Sequence, residues 1–360
     1  MAVTIFIVGG GTGGHVYPAV AIAEAFSRKF NGNINIHFVG TARGIESKVV
    51  PEKGFPLHLL PMGRFANVSN FEKLKTLLFF PLAFFKALWL IIRYRPRVIL
   101  GVGGYASVPP LVVGALLGRK TYIWEPNAMP GMANQWLSRF CKYALVVFDG
   151  AKSKLTSKYF EKVGIPVREK IERGMELALP GTERLRILVF GGSQGARGIN
   201  NVVIEAIEKG GDWLQQVEIV HQVGRVDFEK LDQRYKKLNL ENVQHFEFLH
   251  DMEARYAWAD FVICRAGAST VAELAAMGKA SWLIPFPGAG NHQRNNALEL
   301  VEKGAAMMSE QDDFTATDFI EKIQLISRDR DVLHNLSQNI KKFHTPHAAE
   351  KIADFIWNTK

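Results

Sequence analysis

The chain has 360 residues, 48% of them hydrophobic and 22% charged, with two cysteines. The length predicts about two domains of ~150 residues each; the composition excludes extended disorder; and Cys141 and Cys264, outside any C-x-x-C, exclude a disulfide framework and suit a reducing compartment. The net charge of +9 is uneven, because residues 1–160 carry 19 basic and 6 acidic side chains while the remainder carries 25 and 29, so the first half is expected to meet something anionic: nucleic acid, a membrane surface or a phosphorylated substrate.

Residues 3–8 (Val-Thr-Ile-Phe-Ile-Val) form an apolar run. No basic segment precedes it and no small-residue cleavage site follows, so it reads as a buried first strand, not a secretory signal. A glycine loop and an amphipathic helix over 18–30 come next. Further strands are expected at 34–39, 97–101, 121–124 and 144–148. Between the second and third lies an apolar stretch, 77–92, interrupted by Pro81 and Lys86. It is too short and broken to span a bilayer, which takes roughly 20 residues. Phe79, Phe80, Phe84, Phe85 and Trp89 lie in it, with Arg64, Lys73 and Lys75 before and Arg93, Arg95 and Arg97 after. That pattern suits a peripheral patch on anionic headgroups, with Phe80, Phe84 and Trp89 as candidate lipid contacts, or a buried domain helix.

After a polar, Gly/Pro-punctuated stretch over 164–184 the plan restarts. A strand at 186–190 leads to a glycine loop and a helix from 199, then strands at 217–220, 261–264 and 280–284. The fold class is therefore α/β: two Rossmann-like parallel-sheet domains facing a cleft. The boundaries expected are 1–163 for the first domain, 164–340 for the second, and 341–360 for a terminal helix returning to the first domain. Ligands of such sheets bind beyond the carboxyl ends of the strands.

Gly9-Gly-Gly-Thr-Gly-Gly-His15 brings backbone N–H groups and a helix N-terminus to an anion. A G-x-G-x-x-G can be read in it, but a dinucleotide site also needs an acid at the end of the second strand, and none occurs before Glu46. An NAD(P)-dependent oxidoreductase is thereby disfavoured. A non-catalytic nucleotide-binding module at a membrane is a further alternative. His15 suits a general base, or a helix-capping or core imidazole. Gly191-Gly-Ser-Gln-Gly-Ala-Arg197 repeats the cradle without the Gly-Lys-Ser/Thr of a P-loop. In Cys264-Arg-Ala-Gly-Ala-Ser-Thr-Val-Ala-Glu273, Thr270 and Glu273 have capping-box spacing, so Glu273 either caps the helix or accepts both hydroxyls of a ribose. Asn127 is a turn residue or holds a sugar hydroxyl. Asp329-Arg-Asp331, the one Asp-x-Asp, reads as a solvated face, so the chemistry is expected to be metal-free, with no cofactor.

In order and spacing these motifs, with Gly101-Val-Gly-Gly-Tyr105, Gly164-Ile-Pro-Val-Arg168 and His292-Gln293, resemble the MurG family of bacterial N-acetylglucosaminyltransferases, which have the GT-B fold. The resemblance runs over nearly the whole chain. It implies inverting transfer from UDP-GlcNAc to the C4 hydroxyl of MurNAc in lipid I, giving lipid II, at the cytoplasmic face of the inner membrane. The partners implied are UDP-GlcNAc, lipid I and an anionic membrane surface, with no nucleic acid. A GT-B enzyme acting on a diacylglycerol is the nearest alternative. Of the donor contacts carried over residue by residue, Thr12, Gly13 and Gly14 lie in the first loop, and Asn127 and Gln293 contact the sugar. Arg168 and Ser193 face the pyrophosphate, and the Leu249 backbone holds uracil. Ala268, Ser269, Thr270, Val271 and Ala272 line the nucleotide, Glu273 takes the ribose, and His15 is the candidate base. Two motifs depart from the family. Trp124-Glu-Pro-Asn127 stands where it has His-Glu-Gln-Asn, and Ile165 where it has Asn.

Overall fold

Thirteen strands form two separate sheets in the computed structural model, which describes residues 3–62, 70–173, 183–192, 194–288 and 290–359, with 70–79 as backbone alone. The first sheet contains β1 (Val3–Val8), β2 (Ile34–Thr41), β3 (Leu57–Leu60), β4 (Val98–Gly101), β5 (Lys120–Glu125), β6 (Tyr143–Val146) and β7 (Tyr159–Lys162), in the order β3-β2-β1-β4-β5-β6-β7. The second contains β8 (Leu185–Phe190), β9 (Val217–Gln222), β10 (Val243–Phe246), β11 (Phe261–Cys264), β12 (Ala280–Leu283) and β13 (Met307–Met308), in the order β10-β9-β8-β11-β12-β13. Every pairing is parallel. Helices cover both faces of such sheets, so central strands read as unbroken apolar runs. Ile5, Phe6, Ile7 and Val8 are fully buried, as are Ile187, Leu188 and Val189.

Contacts divide the chain into two compact units, Met1–Pro166 with His347–Lys360, and Val167–Pro346. The terminal helix, Ala348–Asn358, is fastened to helix Gly13–Lys29 by the ion pairs Arg28–Glu350 and Lys29–Asp354. Trp357 packs on Phe30, and Arg97 lies over its indole.

In each sheet the order reverses next to the strand that opens the unit: β1 lies between β2 and β4, and β8 between β9 and β11. At such a switch point two adjacent loops diverge to opposite faces and leave a crevice beyond the strand ends. The loops there are Gly9–His15 beside Gly101–Tyr105, and Gly191–Arg197 beside Cys264–Thr270.

The segment 77–92 lies inside one 25-residue helix, Asn70–Tyr94. Among the described residues, no helix is long and apolar enough to cross a membrane. The helix exposes Leu82, Phe85, Trp89 and Ile92 at helical spacing, Phe85 at 68% and Trp89 at 58%. Phe80 and Phe84 instead stack edge to face and pack against the core of the first unit. Of the three candidate lipid contacts, only Trp89 is on the outward face. Arg64 lies outside the described residues, as do the side chains of Lys73, Lys75 and Phe79.

Candidate active site

In the first unit the helix starts earlier than the amphipathic pattern suggests, at Gly13, with Thr12 as its extended N-cap residue. The Thr12 carbonyl accepts the N–H groups of His15 and Val16. His15 therefore stands in the first turn, and Pro18 is inside the helix. Gly9, Gly10 and Gly11 have φ of 126°, 145° and 98°, a region that glycine alone enters freely. The loop is tied to its neighbours by Gly9 N–H to Val39 O and Gly10 N–H to Gly103 O. The His15 ring rests on Gly103, where a Cβ would lie 2.9 Å from Cε1. The glycines of 101–105 thus leave room for the imidazole. The acid that follows β2, Glu46, turns its carboxylate onto Gly11 and Thr41 and is not presented to a ribose.

Asn127 sits in the loop after β5. Its backbone N–H and Nδ2 both donate to Glu125 Oε1 at 3.0 Å, and Glu125 Oε2 accepts from Gly131 and Asn134. Glu125 is 2% exposed, so this buried carboxylate shapes the loop that carries Asn127. Trp124, where the resemblance leads one to expect histidine, is fully buried, its indole N–H included.

In the second unit, Gly191 and Gly192 follow β8, and Gly195 and Ala196 lead into helix Arg197–Lys209. Gly195 is pressed against the Val223 carbonyl and has φ of 80°, so no side chain fits there. Ser193 lies outside the described residues. Helix Ala268–Met277 begins after β11 with Gly267 as N-cap. Thr270 is its third residue and makes no cap bond, so the capping-box reading of Thr270 and Glu273 fails: glycine already supplies the turn. The N–H groups of Ala268, Ser269 and Thr270 instead open the helix, where an anion is favoured. Val271 is buried in its packing.

Glu273 reaches outside its own helix. Its Oε1 accepts from Arg168 Nη2 at 3.2 Å and its Oε2 from the Tyr256 hydroxyl at 3.0 Å. Burial raises its pKa above the usual carboxylate value, against the pull of Arg168. Arg168 itself is exposed, the N-cap of a short helix, Glu169–Glu172. The structure thus joins the candidate ribose ligand and the candidate diphosphate ligand in one ion pair. Leu249 is buried in the loop after β10, and its chain neighbours Phe248 and His250 meet edge to face. Gln293 opens helix His292–Val301, and its Oε1 accepts the Phe286 N–H.

Gln293 also lines a cavity of about 510 Å³ with Gly191, Arg197, Arg265, Phe286 and Gln311. Arg265, the residue after β11, is 8% exposed. Its Nη1 donates to the carbonyls of Ile284 and Pro285, and its Nη2 to Gln311 Oε1. Burial draws its pKa down to about 10, so it stays cationic at neutral pH. The motif reading left Arg265 without a role, although an arginine leaving the strand at a switch point is a signal for an anion. Gln311 has no sequence signal; only the fold brings it there. Asp329 and Asp331 are exposed at the joint between helices Ala316–Arg328 and Asp331–Lys341.

Two family models match the chain: the glycosyltransferase family 28 N-terminal domain over residues 5–146 and the glycosyltransferase family 28 C-terminal domain over 186–352. A UDP-N-acetylglucosamine–N-acetylmuramyl-(pentapeptide) pyrophosphoryl-undecaprenol N-acetylglucosamine transferase of Bdellovibrio bacteriovorus is 45% identical, over 97% of both chains. The protein of the same name from Myxococcus xanthus is 38% identical over 97% of this chain and 91% of its own. The crystal structure of Acinetobacter baumannii MurG superposes with a TM-score of 0.80 at 26% identity, covering 99% of this chain and 100% of that one. The two parallel sheets are those of the GT-B fold, and the chain belongs to glycosyltransferase family 28, among its pyrophosphoryl-undecaprenol N-acetylglucosamine transferases.

Proposed function

We propose that the protein transfers N-acetylglucosamine from UDP-GlcNAc to the C4 hydroxyl of N-acetylmuramic acid in lipid I, with inversion, forming lipid II for peptidoglycan. The observation that carries this reading is the 45% identity along 97% of the chain to a transferase named for that reaction, in a chain with a glycine loop at each switch point. In the reaction the acceptor oxygen bonds to C1 of the donor sugar as the C1–O bond to UDP breaks. The hydroxyl proton goes to His15. Negative charge grows on the departing diphosphate and is met by Arg168, by Ser193 and by the N–H groups that open helix Ala268–Met277. Glu273 receives the ribose hydroxyls, the Leu249 backbone the uracil, and Gln293 and Asn127 the sugar. The first loop, through Thr12, Gly13 and Gly14, holds the pyrophosphate of lipid I, whose charge matches the basic first unit. No metal takes part in this scheme.

The test is UDP release from UDP-GlcNAc with and without a lipid I analogue, with the product identified by mass. Release that depends on the analogue, yields a disaccharide lipid and persists in EDTA is expected. Release that requires a diacylglycerol instead, or that EDTA abolishes and Mg²⁺ restores, overturns the reading.

A lipid-linked acceptor calls for attachment to the cytoplasmic face of the membrane, and helix Asn70–Tyr94 supplies the surface. A large apolar side chain such as Phe85 or Trp89 gains about 1.5–3 kcal/mol when fully buried, and nearby arginines add attraction to anionic headgroups. Replacing Phe85 and Trp89 with serine is expected to lower binding to anionic vesicles at least ~10-fold with Tm unchanged, and salt to weaken the parent's binding. Replacing Phe80 and Phe84 is expected to lower Tm instead, because they face the core. Vesicle binding indifferent to Phe85 and Trp89 would place the attachment elsewhere.

A further inference from the structure

One buried carboxylate near the first glycine loop has no part in the scheme above. Glu46 opens the short helix Glu46–Glu52 and is 2% exposed. Its Oε2 accepts the Gly11 N–H at 2.8 Å. Its Oε1 accepts both the backbone N–H and the hydroxyl of Thr41, at 3.0 and 2.9 Å. Three glycines, Gly10 in the first loop, Gly40 in β2 and Gly44 in the turn after it, leave room for it: a Cβ on them would lie 2.5, 2.7 or 1.9 Å from its side chain. These three bonds come from neutral donors, two at the end of β2 and one in the loop that precedes helix Gly13–Lys29.

We propose that Glu46 is a positioning residue for the acceptor site: by holding the Gly11 amide inward it fixes the loop shape that aims Thr12, Gly13, Gly14 and His15 outward. The glycines of this loop have no side chains with which to hold themselves, and the freedom that lets them enter positive φ also lets an unanchored loop take other shapes, at an entropic cost to ordering. A carboxylate supplies charge-assisted bonds, about twice as strong as neutral ones. It also takes one amide out of the cradle, so an acceptor anion is left to the amides further along, at the helix start, next to the imidazole. This inference rests on the reading of the first loop as the acceptor site.

Glu46→Gln separates the two ends of the contact. The amide oxygen keeps Thr41, while the NH₂ group opposes the Gly11 N–H, donor against donor. The variant is expected to raise KM for a lipid I analogue ~10-fold or more, or to lower kcat by as much. KM for UDP-GlcNAc and the affinity for UDP should stay within about twofold of the parent. Hydrogen exchange of a peptide spanning residues 9–16 should accelerate ~10-fold in the substrate-free protein, with exchange in the second unit unchanged. A folded variant with parental kinetics and parental exchange overturns the proposal. An equal loss in donor and acceptor terms overturns it too, since that marks a general packing defect. If the parent transfers nothing to lipid I, the functional reading fails while exchange still decides whether Glu46 fixes the loop. Should Glu46→Gln not fold, Thr41→Val, which removes one of the three bonds, is expected to raise the acceptor KM about threefold with the donor KM unchanged. No change in either would overturn the proposal.

Discussion

Replacing His15 with alanine is expected to lower turnover ~10²–10⁴-fold with donor and acceptor saturating, the range that a general base contributes. The geometry sets up the comparison. His15 is in the first turn of its helix, half-buried, with its ring laid on Gly103, so its position is fixed before any ligand arrives. A base in that place must be neutral to accept the C4 hydroxyl proton, so the parent's rate falls as acid protonates it, and the alanine variant should lose that acidic limb. The check is the pH–rate profile of both proteins. If only the acceptor's apparent affinity falls, while turnover and its acidic limb survive, His15 is an acceptor ligand and the proton goes elsewhere. Gly103→Ala should approach the His15 variant in effect, because a methyl group there displaces the ring and φ of 104° resists any side chain.

Glu273→Gln is expected to weaken UDP binding by about 1.5–3 kcal/mol, the loss of a hydrogen bond to a charged acceptor, or roughly 10–150-fold in Kd. Glutamine keeps both present neighbours, because its oxygen still accepts from Arg168 and its NH₂ group can donate to the Tyr256 oxygen. The change therefore isolates the ribose. Burial raises the Glu273 pKa, so on acidification its carboxylate is lost at higher pH than an ordinary one. UDP affinity should fall as pH drops through that raised pKa, and the glutamine variant should not show the fall. Calorimetric titration of UDP against pH measures both effects. Equal affinities in a folded variant would confine Glu273 to its pair with Arg168 and Tyr256.

The strands that the sequence pattern revealed are the interior ones. Residues 5–8, 98–100, 187–190 and 261–264 are apolar on consecutive positions because helices cover both faces of their sheets. The four that escaped notice, β3, β7, β10 and β13, are the outermost strands of the two sheets. An edge strand has one partner and an open side, so β7 reads Tyr-Phe-Glu-Lys and β10 reads Val-Gln-His-Phe, with no run to recognise. Helix phase was the other weakness. The stretch over 77–92 is apolar nearly all round, so periodicity did not separate Phe85, which faces out, from Phe84, which packs in. Thr270-x-x-Glu273 matched a capping box by spacing, yet Gly267 had already turned the chain.

By itself the sequence determined the class of fold, the two strand–glycine loop–helix starts and the residue types that can meet phosphate, ribose and sugar. These are local properties: a buried parallel strand needs its apolar run, and a tight turn beside a helix start needs glycine. Only the tertiary structure decided which loops are neighbours. Strand order is set by long-range pairing, which places Gly101–Tyr105 against the first loop and Cys264–Thr270 beside the second although some 90 and 70 residues separate them along the chain. It also paired Arg168 with Glu273, brought Gln311 to Arg265, and placed Glu46 under Gly11. A buried polar group is satisfied by whatever the packing brings to it, and no spacing in the sequence records that partner.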